Sequence, residues 1–191
     1  MVNFSRSVAS RNIVPDQGAF YIAEGLKKST VLSKLDLPCC GLTSKGVEYL
    51  SDALATNNSL NELTLHDNPL CDNGIQHLAN ALKDNHNLKN LGLENCSMTD
   101  VGLEHLANSL QANRSLNQLH LYNIGSGVEN HITGKSVLFL IKNNSTLEEL
   151  SLPADFKSST NSIQEIINET RKRSGLSFIK VTGKSCMCTC A

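Results

Sequence analysis

The sequence lacks most features that mark membrane, secreted or nucleic-acid-binding proteins. It has no tryptophan, only three tyrosines and five phenylalanines in 191 residues, and no apolar run of the ~18 residues that a transmembrane helix needs. Residues 1–6 lack the apolar core of a signal peptide. A formal net charge of −1 provides no general attraction for phosphates or anionic headgroups. We therefore expect a cytoplasmic protein that does not bind nucleic acid.

The cysteine content does not indicate a disulfide framework. The chain has seven cysteines, which is an odd number, and they occur without a signal peptide. Reduced thiols are the usual state of cysteine in proteins that stay in the cytosol. We expect free thiols.

Leucine recurs instead at a fixed period. Segments of the form L-x-x-L-x-L begin at Leu32, Leu60, Leu88 and Leu116, at intervals of 28 residues. A period in this range predicts a solenoid. Counting from the first leucine, positions 4 and 6 lie on one side of a short strand and face the core, whereas positions 3, 5 and 7 point the other way.

The second half of each repeat has the spacing of an amphipathic helix. In residues 74–82 and 102–110, apolar side chains recur at i, i+3, i+4 and i+7. Each unit is therefore strand, turn, helix and turn. A degenerate unit from Phe4 and two irregular units from Leu147 and Leu176 bring the expected total to about seven. We assign residues 1–183 to the repeat domain and 184–191 to a cysteine-rich tail.

Position 9 of each repeat takes Asn or Cys, as at Cys40, Asn68 and Cys96. The chain turns there inside the stack, so its backbone groups need partners. We therefore interpret Cys40 and Cys96 as structural. The repeat from Leu116 departs from the pattern, with Ile124 at position 9. Its 31-residue length is interpreted as a three-residue loop insertion, and residues 125–133 as a secondary contact site.

The unit at residues 60–85 closely resembles the ribonuclease-inhibitor-type leucine-rich repeat. The N-x-S-L junctions at Asn57 and Asn113 resemble most the repeat arrays of NOD-like receptors. The resemblance is good over residues 14–152 and covers a class that includes ribonuclease inhibitor, Ran GTPase-activating protein and actin-binding tropomodulin-type proteins. It implies an α/β horseshoe with parallel strands on the concave face and helices on the convex face.

The concave face is where such scaffolds usually bind. Its central strands carry a polar, mildly acidic set that we predict to contact a partner, with an ordinary solvated face as the alternative: Glu62, His66, Asp67, Glu94, His120 and Tyr122. Four of these have side chains suited to metal ligation, but no dense ligand motif accompanies them. We predict neither a metal site nor a cofactor.

The tail is not explained by the repeat. Its last four residues, from Cys188, fit a C-a-a-X prenylation pattern with alanine at X, and Cys186 could be palmitoylated. Metal or redox capture and an irregular terminus are the alternatives. A membrane partner is expected only if this tail is lipidated.

The function predicted from these observations is a non-enzymatic protein–protein interaction scaffold, of the sensor or adaptor kind found in NOD-like receptors. The alternative is a GTPase-activating protein resembling the Ran type, which needs polar residues presented at one edge of the solenoid. Arginines are few, and Arg114 is expected on the side away from the strands. No nucleophile, base and orienting acid assemble on the mapped surface. The partner is expected to be a protein of unknown identity.

Overall fold

The computed structural model describes residues 6–8, 16–122, 130–153 and 178–182. Its strands are β1 (Arg6–Val8), β2 (Lys34–Asp36), β3 (Glu62–Thr64), β4 (Asn90–Gly92), β5 (Gln118–His120), β6 (Glu149–Pro153) and β7 (Phe178–Thr182). Its helices are α1 (Asp16–Lys28), α2 (Ser44–Thr56), α3 (Cys71–Asp84), α4 (Asp100–Leu110) and α5 (Gly134–Asn143).

In these described segments the seven strands form one parallel sheet, and they lie side by side in chain order. The register is constant, because Leu35, Leu63, Leu91, Leu119 and Leu150 follow one another across the sheet. Successive helices also pack against one another from α1 to α5. The predicted α/β repeat architecture with parallel strands is therefore confirmed.

The core lies between the sheet and the helices. In each of the strands β2 to β5 the middle residue is buried, whereas its neighbours are mostly half-exposed. The leucines at positions 1, 4 and 6 of the four regular units, except the partly buried Leu32 that packs against them, form one continuous cluster with the apolar face of each helix. The opposite side of the sheet, formed by positions 3, 5 and 7 of β2 to β6 and the turns that follow them, is called the strand face below.

Buried asparagines connect the helix ends of neighbouring units. The side-chain amide of Asn85 donates to the carbonyls of Leu54 at 2.8 Å and Asn57 at 3.1 Å in the preceding unit. Its Oδ1 accepts from the amides of Asn87 and Leu88. Asn57, Asn113 and Asn144 make corresponding bonds. The backbone at Asn85 is extended, so this residue type is needed for its side-chain bonds and not for a left-handed conformation.

A second set of asparagines holds the turns after the strands. Oδ1 of Asn68 accepts from the amides of Cys40 and Leu42, and its Nδ2 donates to the carbonyls of Leu37 and Leu65. Its Nδ2 also donates to the carbonyl of His66 at 3.2 Å, so one buried amide bonds to five backbone groups.

The equivalent residue two units later is Asn130, so the assignment of Ile124 to position 9 was wrong. Oδ1 of Asn130 accepts from the amides of Cys96 and Met98, and its Nδ2 donates to the carbonyls of Leu93 and Leu121.

The 31-residue length of this unit therefore has a different origin from the one predicted. The interval from position 7 to the buried asparagine is six residues longer than in the unit of Asn68, not three. The interval from Thr133 to Asn144 is three residues shorter than the one from Thr99 to Asn113, and α5 has 10 residues against 13 in α2. An inserted loop and a shortened helix together give the net gain of three.

An aspartate near the start of one helix binds the turn before the next. Asp72 accepts from the amide of Thr99 at 2.8 Å, from its hydroxyl at 2.7 Å and from the amide of Gly102 at 3.0 Å. Asp16 binds Thr43 in the same way, and Asp100 accepts from the amide of Thr133. Asp72 therefore links two units, whereas Thr99 caps α4 by accepting from the amide of Val101.

Some expectations fall outside the described residues. The proposed tail at 184–191 with Cys186 and Cys188, and most of the secondary contact site at 125–133, belong to segments that are not described. Among the helices that are described, none is both long and apolar enough to cross a bilayer.

Candidate functional site

The predicted partner-binding residues lie on the strand face, where hydrogen bonds run from unit to unit. At position 3, Glu62 forms an ion pair with Lys34 of the preceding strand. Farther along the same row, Nδ2 of Asn90 donates to Oε1 of Gln118 at 2.9 Å, and Nε2 of Gln118 donates to Oε2 of Glu149 at 3.2 Å. Parallel register brings equivalent side chains close enough to bond.

The position-5 row is interrupted by a glycine. His120 continues this row and places Nδ1 3.2 Å from the Ser151 hydroxyl. Beside it, Gly92 has no side chain. A Cβ built on Gly92 would lie 2.9 Å from Oε2 of Glu94 and 3.2 Å from the Thr64 methyl group. The Glu94 carboxyl group therefore occupies the gap that the missing side chain leaves.

This arrangement buries Glu94, of which only 6% is exposed. Its Oε2 has no hydrogen-bond partner in the described structure. Burial, which disfavours the charged carboxylate, raises the pKa of Glu94 to about 7. The charge of His66 and a hydrogen bond with Tyr122 act in the opposite direction and lower this pKa.

A second polar chain lies beside Glu94. Nδ1 of His66 lies 2.8 Å from Oδ2 of Asp67, and Nδ2 of Asn95 donates to Oδ1 of Asp67 at 2.7 Å. Asp67 and Asn95 both have positive φ values, of 60° and 51°, in the left-handed conformation that Asp and Asn adopt more readily than most residues.

Two effects oppose each other at His66. Burial alone would lower the pKa of His66, but the hydrogen bond to Asp67 and the charges of Glu94, Asp67 and Asp36 outweigh it, so the pKa is raised. His66 therefore keeps its proton to a higher pH than an ordinary histidine does, and the charges of His66 and Glu94 influence each other.

The six predicted residues do not form one open patch. His66, Asp67, Glu94 and Tyr122 form a compact group, called the Glu94 cluster below. Glu62 and His120 lie in neighbouring rows with other partners. Asp67 and Glu94 are buried, which the sequence did not reveal, and Asn95 and Gly92 were missed as contributors. Within the described residues, no three His, Cys, Asp or Glu side chains are arranged to hold a metal ion.

The predicted structural cysteines are fully buried. The Cys40 thiol lies 3.3 Å from the carbonyl of Pro38, and the Cys96 thiol lies 3.4 Å from the carbonyls of Leu65 and Glu94. Burial raises the pKa of both thiols, which keeps them protonated. These two residues therefore belong to the framework.

Comparison with known proteins gives structural neighbours only. No protein-family model matches the sequence, and no curated protein matches it. The fold is similar to a solved structure described as leiomodin-1 actin-binding site 2, with a TM-score of 0.66, 19% identity, and coverage of 78% of this chain and 86% of that one. It is also similar to the tropomodulin C-terminal domain of Caenorhabditis elegans, with a TM-score of 0.63, 13% identity, and coverage of 82% and 92%.

At these identities the similarity shows the fold alone, an α/β repeat related to leucine-rich repeats. The closer likeness to NOD-like receptors that the N-x-S-L junctions indicated is not supported by these two structures.

Proposed function

We infer that this chain is a non-enzymatic protein-binding scaffold that contacts its partner through the strand face. The observation that carries the proposal is the polar network of that face. Side chains from several successive strands bond to one another there, and the backbone beneath them is held by buried asparagines. A rigid, prearranged surface loses little side-chain entropy on binding, which favours affinity.

The finer architecture belongs to the same proposal. Seven stacked units curved into a horseshoe would make the strand face its concave side, where one partner could contact several strands at once. We also place the protein in the cytoplasm, where Cys40 and Cys96 would stay reduced. A NOD-like-receptor type of sensor or adaptor is one form that such a scaffold could take.

Actin is the first partner to test, because the leiomodin-1 neighbour is described as an actin-binding site. The GTPase-activating alternative has less support. The Arg114 guanidinium donates to the carbonyls of Gln111 at 2.8 Å and Asn113 at 3.0 Å, so this arginine is engaged at the end of a helix.

The experiment measures binding of purified actin monomers to the full chain and to two double variants. His66→Ala with Tyr122→Ala alters the strand face, whereas Gln76→Ala with Glu104→Ala alters exposed positions of α3 and α4. We expect the strand-face variant to lose about tenfold or more in affinity, as central interface residues do. The helix variant should bind like the parent chain.

Absence of actin binding would exclude actin as the partner, but it would not exclude a protein-binding scaffold. Cross-linking of the full chain in cell lysate would then locate whichever partner binds. Cross-links confined to the helix side, and unchanged by His66→Ala with Tyr122→Ala, would contradict the strand-face proposal.

A further inference from the structure

The strand face has an excess of acidic groups. At positions 3, 5 and 7 of β2 to β6, Lys34 is the one lysine or arginine, and it forms an ion pair with Glu62. The acidic residues of this face and its turns are Asp36, Glu62, Asp67, Glu94 and Glu149. Opposite charges across an interface favour the encounter and exclude partners of the wrong sign. The charges therefore favour a partner that presents lysine or arginine.

A separate observation places a particular site within this face. Glu94 is more than nine-tenths buried, and its Oε2 lies over Gly92 without a hydrogen-bond partner in the described structure. A buried polar atom without a partner is costly, and such atoms are few in native proteins. The carboxyl group that fills the gap in the position-5 row thus has unused bonding capacity.

The groups around Glu94 belong to three adjoining units, and each carries or can acquire charge. Glu94 is influenced by His66, Asp67 and Tyr122, and His66 also by Asp36. His120 is in register with Gly92 on the next strand, and the buried Cys96 thiol is influenced by Glu94. Gain or loss of one proton at Glu94 therefore changes the charge of the whole cluster.

We propose that the Glu94 cluster is a proton-linked subsite for a basic protein segment, in which docking of a lysine or arginine beside Gly92 releases a proton from Glu94. This inference rests on the proposed function, because it specifies the partner chemistry and the regulation of the same face.

The reaction balances simply. In the free chain near neutral pH, Glu94 exists in part as the carboxylic acid, since its pKa is about 7. A cation within about 4–6 Å favours the carboxylate, so the O–H proton passes to solvent while the partner's ammonium or guanidinium group keeps its own. Direct contact with the buried Oε2 is not required. Loss of the proton from His66 strengthens the same attraction, because it removes a positive charge from the site.

The test follows the carboxyl carbon resonance of Glu94 during pH titrations of the full chain. The probe is a short peptide of alternating lysine and serine at saturating concentration, and the control peptide has glutamate in place of lysine. We expect the lysine peptide to lower the titration midpoint of Glu94 by about one pH unit or more. The glutamate peptide should leave the midpoint where it is in the free chain.

Peptide affinity supplies a second readout. For the parent chain, affinity should rise with pH, by up to about tenfold per pH unit for the single Glu94 proton, and level off above the pKa of Glu94. Glu94→Gln, which resembles the protonated side chain, should abolish the part of this rise that is due to Glu94. Glu104→Gln, the same change on the exposed surface of α4, should retain it.

Two results would overturn the inference: a Glu94 midpoint that the saturating lysine peptide does not move, or no binding of that peptide. Neither result bears on whether actin or another protein contacts the strand face, which the variants of His66 and Tyr122 test separately.

Discussion

Residues at equivalent positions of the repeat have different environments, and the difference is local. His66, Glu94 and Tyr122 all occupy position 7, yet only Glu94 is buried, because Gly92 two residues earlier leaves space for its carboxyl group. The repeat pattern of the sequence separates only inward-pointing from outward-pointing positions. It therefore predicts the same environment for all three residues. The chemistry of the cluster thus depends on a missing side chain as much as on those present.

The buried carboxyl group should make stability depend on pH. The ordinary pKa of Glu94 is 4.5 and the folded value is about 7, so between these values the folded state binds more protons than the unfolded state. Stability should therefore fall as the pH rises through this window, by about 3 kcal/mol from Glu94 alone.

Urea unfolding at about pH 5 and about pH 8 would measure this effect, with Glu94→Gln as the comparison. The free energy of unfolding of the Glu94→Gln variant should depend much less on pH than that of the parent chain. The raised pKa of His66 contributes stability below its ordinary value of 6.5 that is lost as the pH rises through the folded value, so a smaller decline should remain. Parallel pH profiles for the two proteins would contradict the assignment.

At the scale of the element, the helices were predictable because apolar spacing and unit length agree in the regular repeats. The links between helix starts were not predictable, since they become visible only when Asp72, in the first turn of α3, is seen to bind Thr99 and Gly102 of the next unit. The shift of position 9 to Asn130 was also hidden, because inserted residues break the count. Only the hydrogen bonds to neighbouring turns identify that residue.

The link at Gly102 predicts opposite effects for the same substitution in two helices. A Cβ at Gly102 would lie 2.6 Å from Oδ1 of Asp72 and 2.7 Å from Cγ of Met98, so Gly102→Ala should destabilise the fold by about 1–3 kcal/mol. A Cβ at the exposed Gly25 of α1 would have no atom within 4 Å. Gly25→Ala should therefore stabilise by up to about 1 kcal/mol through helix propensity.

Thermal and urea unfolding of both glycine variants would provide the comparison. If both substitutions changed the free energy of unfolding equally and in the same direction, helix propensity, and not the Asp72 contact, would determine the outcome.

At the scale of the whole molecule, stability comes from the stacking of units that cannot bury their leucines alone. Leu91 is fully buried in β4, with parallel strands on both sides. Leu91→Ala should cost about 2–5 kcal/mol. Val101→Ala, at a position that is 55% exposed, should change stability by no more than about 0.5 kcal/mol. Calorimetry would measure both, and an unchanged melting temperature for Leu91→Ala would contradict the register.

The same periodicity explains why the fold was more predictable than the site. Core positions recur in every regular repeat, so each repeat supports the interpretation of the next. The parallel sheet could be predicted from this recurrence. The Glu94 cluster occurs once, and it depends on the space that Gly92 leaves and on the hydrogen bond between Asn95 and Asp67. No repeated pattern could indicate it, and none identifies a partner.

The unit that contains Asn130 differs in length from its neighbours, yet its strand stays in register with theirs. Six extra residues precede Asn130, yet its amide makes four backbone bonds equivalent to those of Asn68, and β6 continues in register. The extra length of this unit thereby lies between Tyr122 and Asn130. That interval is a natural point for grafting recognition segments of another length, because the bonds of Asn130 restore the register after it.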